Sequence, residues 1–176
     1  MQWIAIVALS ILGCVTYGVI HDQITARICV EYFTIGHPRI IATEDPTMLG
    51  IVWGIVATWW VGVLLGVPLA TAARTGTRPK KTAGSLLGPM AIVLACSAVL
   101  AVLAGSIGYL AASMSWIWLV GAIAQSVPPE KHIPFLVNLW AHSGSYLGGF
   151  IGGILLVFWV WRSRQPAPTQ VKAEAT

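Results

Sequence analysis

Charge is scarce in this chain. Of its 176 residues, 10 are Lys or Arg and 6 are Asp or Glu, 9% in all, where soluble domains carry about 25%. So few charges cannot cover a water-soluble fold of this size. Apolar residues make up 57% and the mean hydropathy is +0.80, a composition suited to lipid. Paired cysteines are missing as well. Cys14, Cys29 and Cys96 form no CxxC, which argues against a disulfide framework, a zinc ribbon, a thiol oxidoreductase or a covalent c-type haem. There is no HExxH, no phosphate loop and no nucleophile elbow around Ser143 and Ser145, so the common hydrolase and nucleotide-binding signatures are excluded. No Lys or Arg precedes the first apolar run and no small-x-small cleavage site follows it, which favours a retained helix over a signal peptide.

What is present is four long apolar runs. They predict an all-α polytopic membrane protein, a four-transmembrane-helix bundle over residues 1–164, with spans at about 3–20, 46–70, 85–112 and 135–161. About 20 residues at 1.5 Å rise cross the ~30 Å hydrocarbon core. The first helix is expected to extend to about residue 35, where Arg27 and Glu31 stand at ion-pair spacing and Gly36 and Pro38 supply a stop. Asp45-Pro46 reads as an N-cap with proline at the first helical position. Trp59-Trp60, mid-run, reads as packing or a hydrophobic constriction. Residues 114–133 read as a short interfacial helix and a turn, with His132 in the loop. Residues 165–176 are polar and read as a disordered cytoplasmic tail.

Small residues mark helix faces. Gly50, Gly54, Thr58, Gly62 and Gly66 recur every four residues, and Gly148, Gly149, Gly152 and Gly153 form overlapping GxxxG patterns. Such stripes let helices approach closely, within the chain or in a homo- or hetero-oligomer. Sidedness follows from the basic residues. Arg74, Arg78, Lys80, Lys81, Arg162, Arg164 and Lys172 fall on one side, and Arg27, Arg39 and Lys131 on the other. The positive-inside rule places the first group, with both termini, in the cytoplasm of a bacterial inner membrane. The pI of 9.2 is then a topology signal; the bilayer is the partner implied, and nucleic acid is not.

The ionisable groups that remain gather at the opposite side. His21 is 18 residues from Trp3 and His142 is 19 from Trp161, so both lie roughly 27–28 Å from the basic edge. On the fourth run Asn138, His142, Ser145 and Gly149 share one helical face; on the first, Tyr17, His21 and Thr25 do, with Asp22 adjacent. Polar groups in lipid face the bundle interior, so the two faces are expected to meet. Three readings fit. His21, His142 and Asp22 are candidate ligands of a transition metal, with Asn138, Glu31, His37, Ser145 and Thr25 as supporting or additional groups. The two histidines could hold a b-type haem, with room left by Gly18 and Gly144. Alternatively the cluster only fixes helix register by hydrogen bonds, or serves a small transporter or proton-linked sensor.

The segment HDQITARICVEYFTIGHP (residues 21–38), followed by DPTMLGIVWGIVATWWVGVLLG and by LWAHSGSY in the fourth run, resembles a group of uncharacterised small bacterial four-helix integral membrane proteins. The resemblance spans about residues 21–153. It implies topology and no activity.

Overall fold

A computed structural model describes residues 1–164. The tail expected from residue 165, and Lys172 with it, lies outside the described residues. The elements are α1 (Gln2–Ile28), α2 (Glu31–Thr34), α3 (Pro46–Val56), α4 (Trp59–Arg74), α5 (Ala83–Ser113), α6 (Gly121–Ser126), a 3-10 turn (Pro129–Lys131) and α7 (His132–Arg162). Among the described residues there is no strand. Four segments are long and apolar enough to cross a membrane: Gln2–Ile28, Pro46–Arg74, Ala83–Ser113 and Pro129–Arg162. The protein is an all-α, multi-pass membrane bundle.

Two helix pairs build it. α1 lies along α3 and α4, and α5 lies along α7. Each pair is sealed by glycine. A Cβ added to Gly54 would stand 2.5 Å from Val19 Cα, and one on Gly62 would stand 2.5 Å from Ile11 Cα. Gly50 and Gly66 meet α1 in the same way. On α7, Gly144 faces Leu100 and Ala104, Gly148 faces Ser97 and Leu100, and Gly152 faces Val93. Backbones this close gain dispersion contacts that larger side chains would forbid. These stripes therefore join helices of the same chain. Gly149 is different: nothing approaches its added Cβ nearer than 3.8 Å. Gly153 points at Leu65 of α4, across to the other pair.

Several expected boundaries shift. The second span is not continuous. α3 stops at Val56 and α4 starts at Trp59, with Ala57 and Thr58 between them. Irregular backbone at membrane depth persists where protein groups satisfy it. Here the Tyr146 hydroxyl donates to the Ala57 carbonyl at 3.2 Å, and the Thr58 hydroxyl donates to the Gly54 carbonyl. Trp59 and Trp60 are neither packing nor constriction, since both lie on the outer surface, 50% and 43% exposed. α1 ends at Ile28, and its expected extension is a separate single turn, α2.

That ending removes the expected Arg27–Glu31 pair. Cys29 is extended, which turns Glu31 off the α1 axis. Arg27 instead donates to Gln23 and to the Thr47 hydroxyl, and Glu31 pairs with Lys131 at 3.6 Å. His132 is not a loop residue: it opens α7, and its Nε2–H donates to the Val127 carbonyl at 3.0 Å. Asp45 caps α3 as its sequence implies, accepting from Met48 N–H at 2.8 Å with Pro46 next in line.

Arg74, Arg78, Lys80, Lys81, Arg162 and Arg164 gather at one end of the bundle, called here the basic end; His21, His37 and His142 lie towards the other, the histidine end. At the basic end Arg164 is 2% exposed. Its guanidinium donates to the carbonyls of Ala72, Thr75, Arg78 and Pro79. It thus caps the carbonyl end of α4 and the loop beyond it.

Candidate metal centre and its cavity

α1 and α7 touch mainly through polar side chains. Asn138, fully buried on α7, donates both amide hydrogens, to the carbonyls of Thr25 (2.8 Å) and Cys29 (3.2 Å). Its orientation is forced, because both neighbours are acceptors. It satisfies the carbonyl end of α1 from another helix, and its own Oδ1 is left buried without a partner. One turn further along α7, His142 Nδ1–H donates to the Asn138 carbonyl at 2.8 Å. His142 Nε2 lies 3.1 Å from Asp22 Oδ1. Both ring nitrogens thus face oxygen atoms, and Nε2 faces that of a nearly buried carboxyl, Asp22 being 4% exposed.

His21 stands edge-on to His142, with ring centroids 4.6 Å apart. Its Nε2 is buried and has no hydrogen-bond partner. Tyr17, one turn towards the basic end, stacks on His21 at 5.8 Å and shares a 2.8 Å hydrogen bond with Ser145. One nitrogen from each histidine and one Asp22 oxygen lie within 4.8 Å of one another. A bound ion with ~2.0–2.2 Å bonds would draw them to roughly 3–4 Å, a side-chain adjustment. His142 already has the arrangement of a metal ligand, with the far ring nitrogen tied to a carbonyl.

The other proposed residues divide. Thr25 is buried and donates to the His21 carbonyl at 3.2 Å, so it steadies α1 and offers no free oxygen hydrogen. Ser145 reaches the site through Tyr17. His37 forms part of the roof: its Nδ1–H donates to the Tyr32 carbonyl at 2.8 Å, and its ring packs on Tyr32 and Trp53. Glu31 is apart, held by Lys131 and by the Cys29 thiol, which donates at 3.3 Å. Burial first, and then the neighbouring Glu31, pushes the Cys29 thiol up to about 11, so it stays protonated and is no ligand at neutral pH.

A haem does not fit. Bis-histidine ligation needs rings facing across an iron, with centroids roughly 6 Å apart given ~2 Å bonds. These rings touch edge to face at 4.6 Å, and the adjoining cavity, about 140 Å³, does not hold a porphyrin. Gly18 and Gly144, expected to leave room, are pressed against Gly54 and Thr58 and against Leu100 and Ala104.

Sequence reasoning missed the roof and the far wall. Tyr32 and Phe33 close over His142, with ring centroids at 4.6 and 5.9 Å. Tyr146 closes the Ala57–Thr58 break. Tyr146 stands four residues after His142, so helical spacing alone could have found it. Nothing local marks Tyr32, whose place depends on the turn at Cys29. Burial first, then the nearby Asp22 charge, raises the Tyr32 phenol above its ordinary value, which keeps it a donor. Comparison with protein-family models, with curated proteins and with solved structures returns no match.

Proposed function

We propose that this chain is an integral membrane protein that binds one divalent transition-metal ion through His21, Asp22 and His142. The observation that carries the reading is the buried, unpartnered Nε2 of His21 beside a His142–Asp22 pair already oriented by the Asn138 carbonyl. Two imidazoles and a carboxylate suit zinc, iron(II) or manganese, and three protein ligands leave a coordination position open. Imidazole and carboxylate bind a metal only when unprotonated, so uptake should weaken in acid.

The basic residues support an orientation with the histidine end away from the cytoplasm, in a bacterial inner membrane. Fusion of an alkaline phosphatase reporter to the 114–131 segment should give active enzyme outside the cytoplasm, and fusion to the 75–81 loop should not.

The test is elemental analysis of the detergent-purified protein, before and after reconstitution with Zn²⁺, Fe²⁺ or Mn²⁺. One equivalent is expected, with loss in His21→Ala, His142→Ala and Asp22→Ala variants that keep their thermal melting transition. Wild-type protein that stays metal-free after reconstitution would remove the reading. A proton-linked sensor or transporter is the second reading, supported by the 3.1 Å contact of His142 Nε2 with Asp22 Oδ1. It predicts pH-dependent behaviour at that pair that persists after chelation.

A further inference from the structure

The candidate ligands stand at one end of a narrow passage. His21, Asp22 and His142 all line the cavity of about 140 Å³ between the two helix pairs. On α1 its lining runs from Asp22 to Ser10, roughly 18 Å along the axis. So small a volume over that length admits single small molecules and no bulky one. Beyond Tyr17 the walls are Leu65, Leu69, Met90, Val93, Leu94 and Leu156, with a few hydroxyls. Those hydroxyls are already engaged. Ser10, Thr58 and Ser97 each donate to the carbonyl four residues back, on Ile6, Gly54 and Val93. A water there would meet acceptors without donors, and a buried water makes about three hydrogen bonds. Among the described residues no Lys or Arg lines the passage, and Asp22 is the one acidic residue that does. A solvated ion would lose its hydration with no counter-charge along the way. An apolar molecule has little hydration to lose and already favours hydrocarbon over water.

We propose that the open coordination position of the metal centre takes dioxygen, which reaches it along this passage. The inference rests on the metal reading and narrows the ion to iron(II). Two imidazoles and one carboxylate with open positions form the donor set on which iron(II) takes up dioxygen, and zinc has no redox chemistry to offer it. The free side of a bound ion faces the cavity. α1 and α7 supply the ligands from their own sides, and Tyr32 and Phe33 lie over His142 with ring centroids at 4.6 and 5.9 Å. The side left for a further ligand is the passage that the three ligands line. Its walls, rather than the ligands, then select an uncharged gas over water and anions.

The test uses the full chain in detergent, chelated in one arm and loaded anaerobically with Fe²⁺ in the other. Xenon, followed by NMR, probes the passage without metal. Nitric oxide, followed by EPR, stands in for dioxygen at the iron, and azide is the anionic control. Xenon should bind the chelated protein saturably. The iron-loaded protein should take up one nitric oxide per iron, and azide should not slow that uptake. Gly149 lines the passage about two turns from His142, and nothing approaches its added Cβ nearer than 3.8 Å. Gly149→Leu should fill the space, abolish saturable xenon binding and slow nitric oxide uptake about tenfold, with iron content and the melting transition unchanged. If that variant does not fold, the xenon and azide results on the wild type decide. Protein that takes up no metal would sink the metal reading and this inference together. Uptake of zinc but not iron, or bound iron that gives no nitrosyl signal, would overturn this inference and leave the metal reading standing. So would azide competing as well as nitric oxide binds, a chelated protein without saturable xenon binding, or a folded Gly149→Leu that takes up nitric oxide at the wild-type rate.

Discussion

The two ends of the bundle hold buried polar groups in opposite ways. At the basic end, Arg164 meets four carbonyls of α4 and its following loop, while Arg78 and Lys81 sit over Trp161 and Trp159 at 4.7 and 5.1 Å. The four Arg164 bonds close a helix end and the loop beyond it. At the histidine end Asn138 performs the same capping task for α1, yet its Oδ1 and His21 Nε2 are left without partners. A buried polar atom without a partner costs about 1–3 kcal/mol. Under the proposed reading, His21 Nε2, whose ring lines the cavity, is the atom a ligand would partner, whereas the saturated Arg164 guanidinium acts as a staple.

That contrast can be broken by substitution. The largest effect should come from Arg164→Ala, which strands carbonyls at the end of α4. A loss of about 2–4 kcal/mol is expected, read as the midpoint of thermal or denaturant unfolding in detergent, with partial recovery in Arg164→Lys. A shift below ~0.5 kcal/mol would show that water replaces the guanidinium and that the end is not stapled. Next is Tyr146→Phe, which removes the donor to the Ala57 carbonyl. About 1 kcal/mol is expected, the scale of an interhelical hydrogen bond in a membrane. An unchanged midpoint would mean the break between α3 and α4 does not depend on that hydroxyl.

His21→Leu should change stability by less than ~1 kcal/mol, or raise it, because the lost nitrogen had no partner, while abolishing metal uptake. A large destabilisation would make His21 a structural residue and erase the contrast between the ends. The smallest effect is at Cys29. Its thiol, 1% exposed and raised to about 11 from 9.0, should be about one part in a thousand thiolate at pH 8 rather than about one in ten. Mass-spectrometric alkylation should therefore be negligible at pH 8 in the folded protein and rise only as pH approaches 11. Because the folded thiol is the more weakly acidic, its share of stability is intact below pH 9 and is lost as pH climbs through 11. Rapid alkylation at pH 8 would show that the turn after α1 opens.

Much of this architecture is legible along the chain. The four apolar runs, the Asp45-Pro46 cap and the glycine stripes depend on residues near one another in sequence, so local hydropathy and spacing report them. The polar faces of His142 and His21 are legible as faces too, because helical periodicity is local. Other features are not. Glu31 looks like the partner of Arg27 until the extended Cys29 sends it to Lys131. Trp59 and Trp60 look internal until the break at Ala57–Thr58 sets the rotation of α4 and turns them outward. The break itself has no proline or glycine at its centre; what tolerates it is a tyrosine 89 residues away.

By itself, the sequence determined that the chain belongs in lipid, how many times it can cross and at which end its ionisable groups collect, since transfer from water to hydrocarbon is summed residue by residue. Only the tertiary structure decided that His21, Asp22 and His142 converge and that a cavity runs inward from them. Convergence depends on which helices are neighbours and on their rotation, and those are set by backbone contacts at Gly54, Gly62, Gly144 and Gly148 that no single helix carries alone.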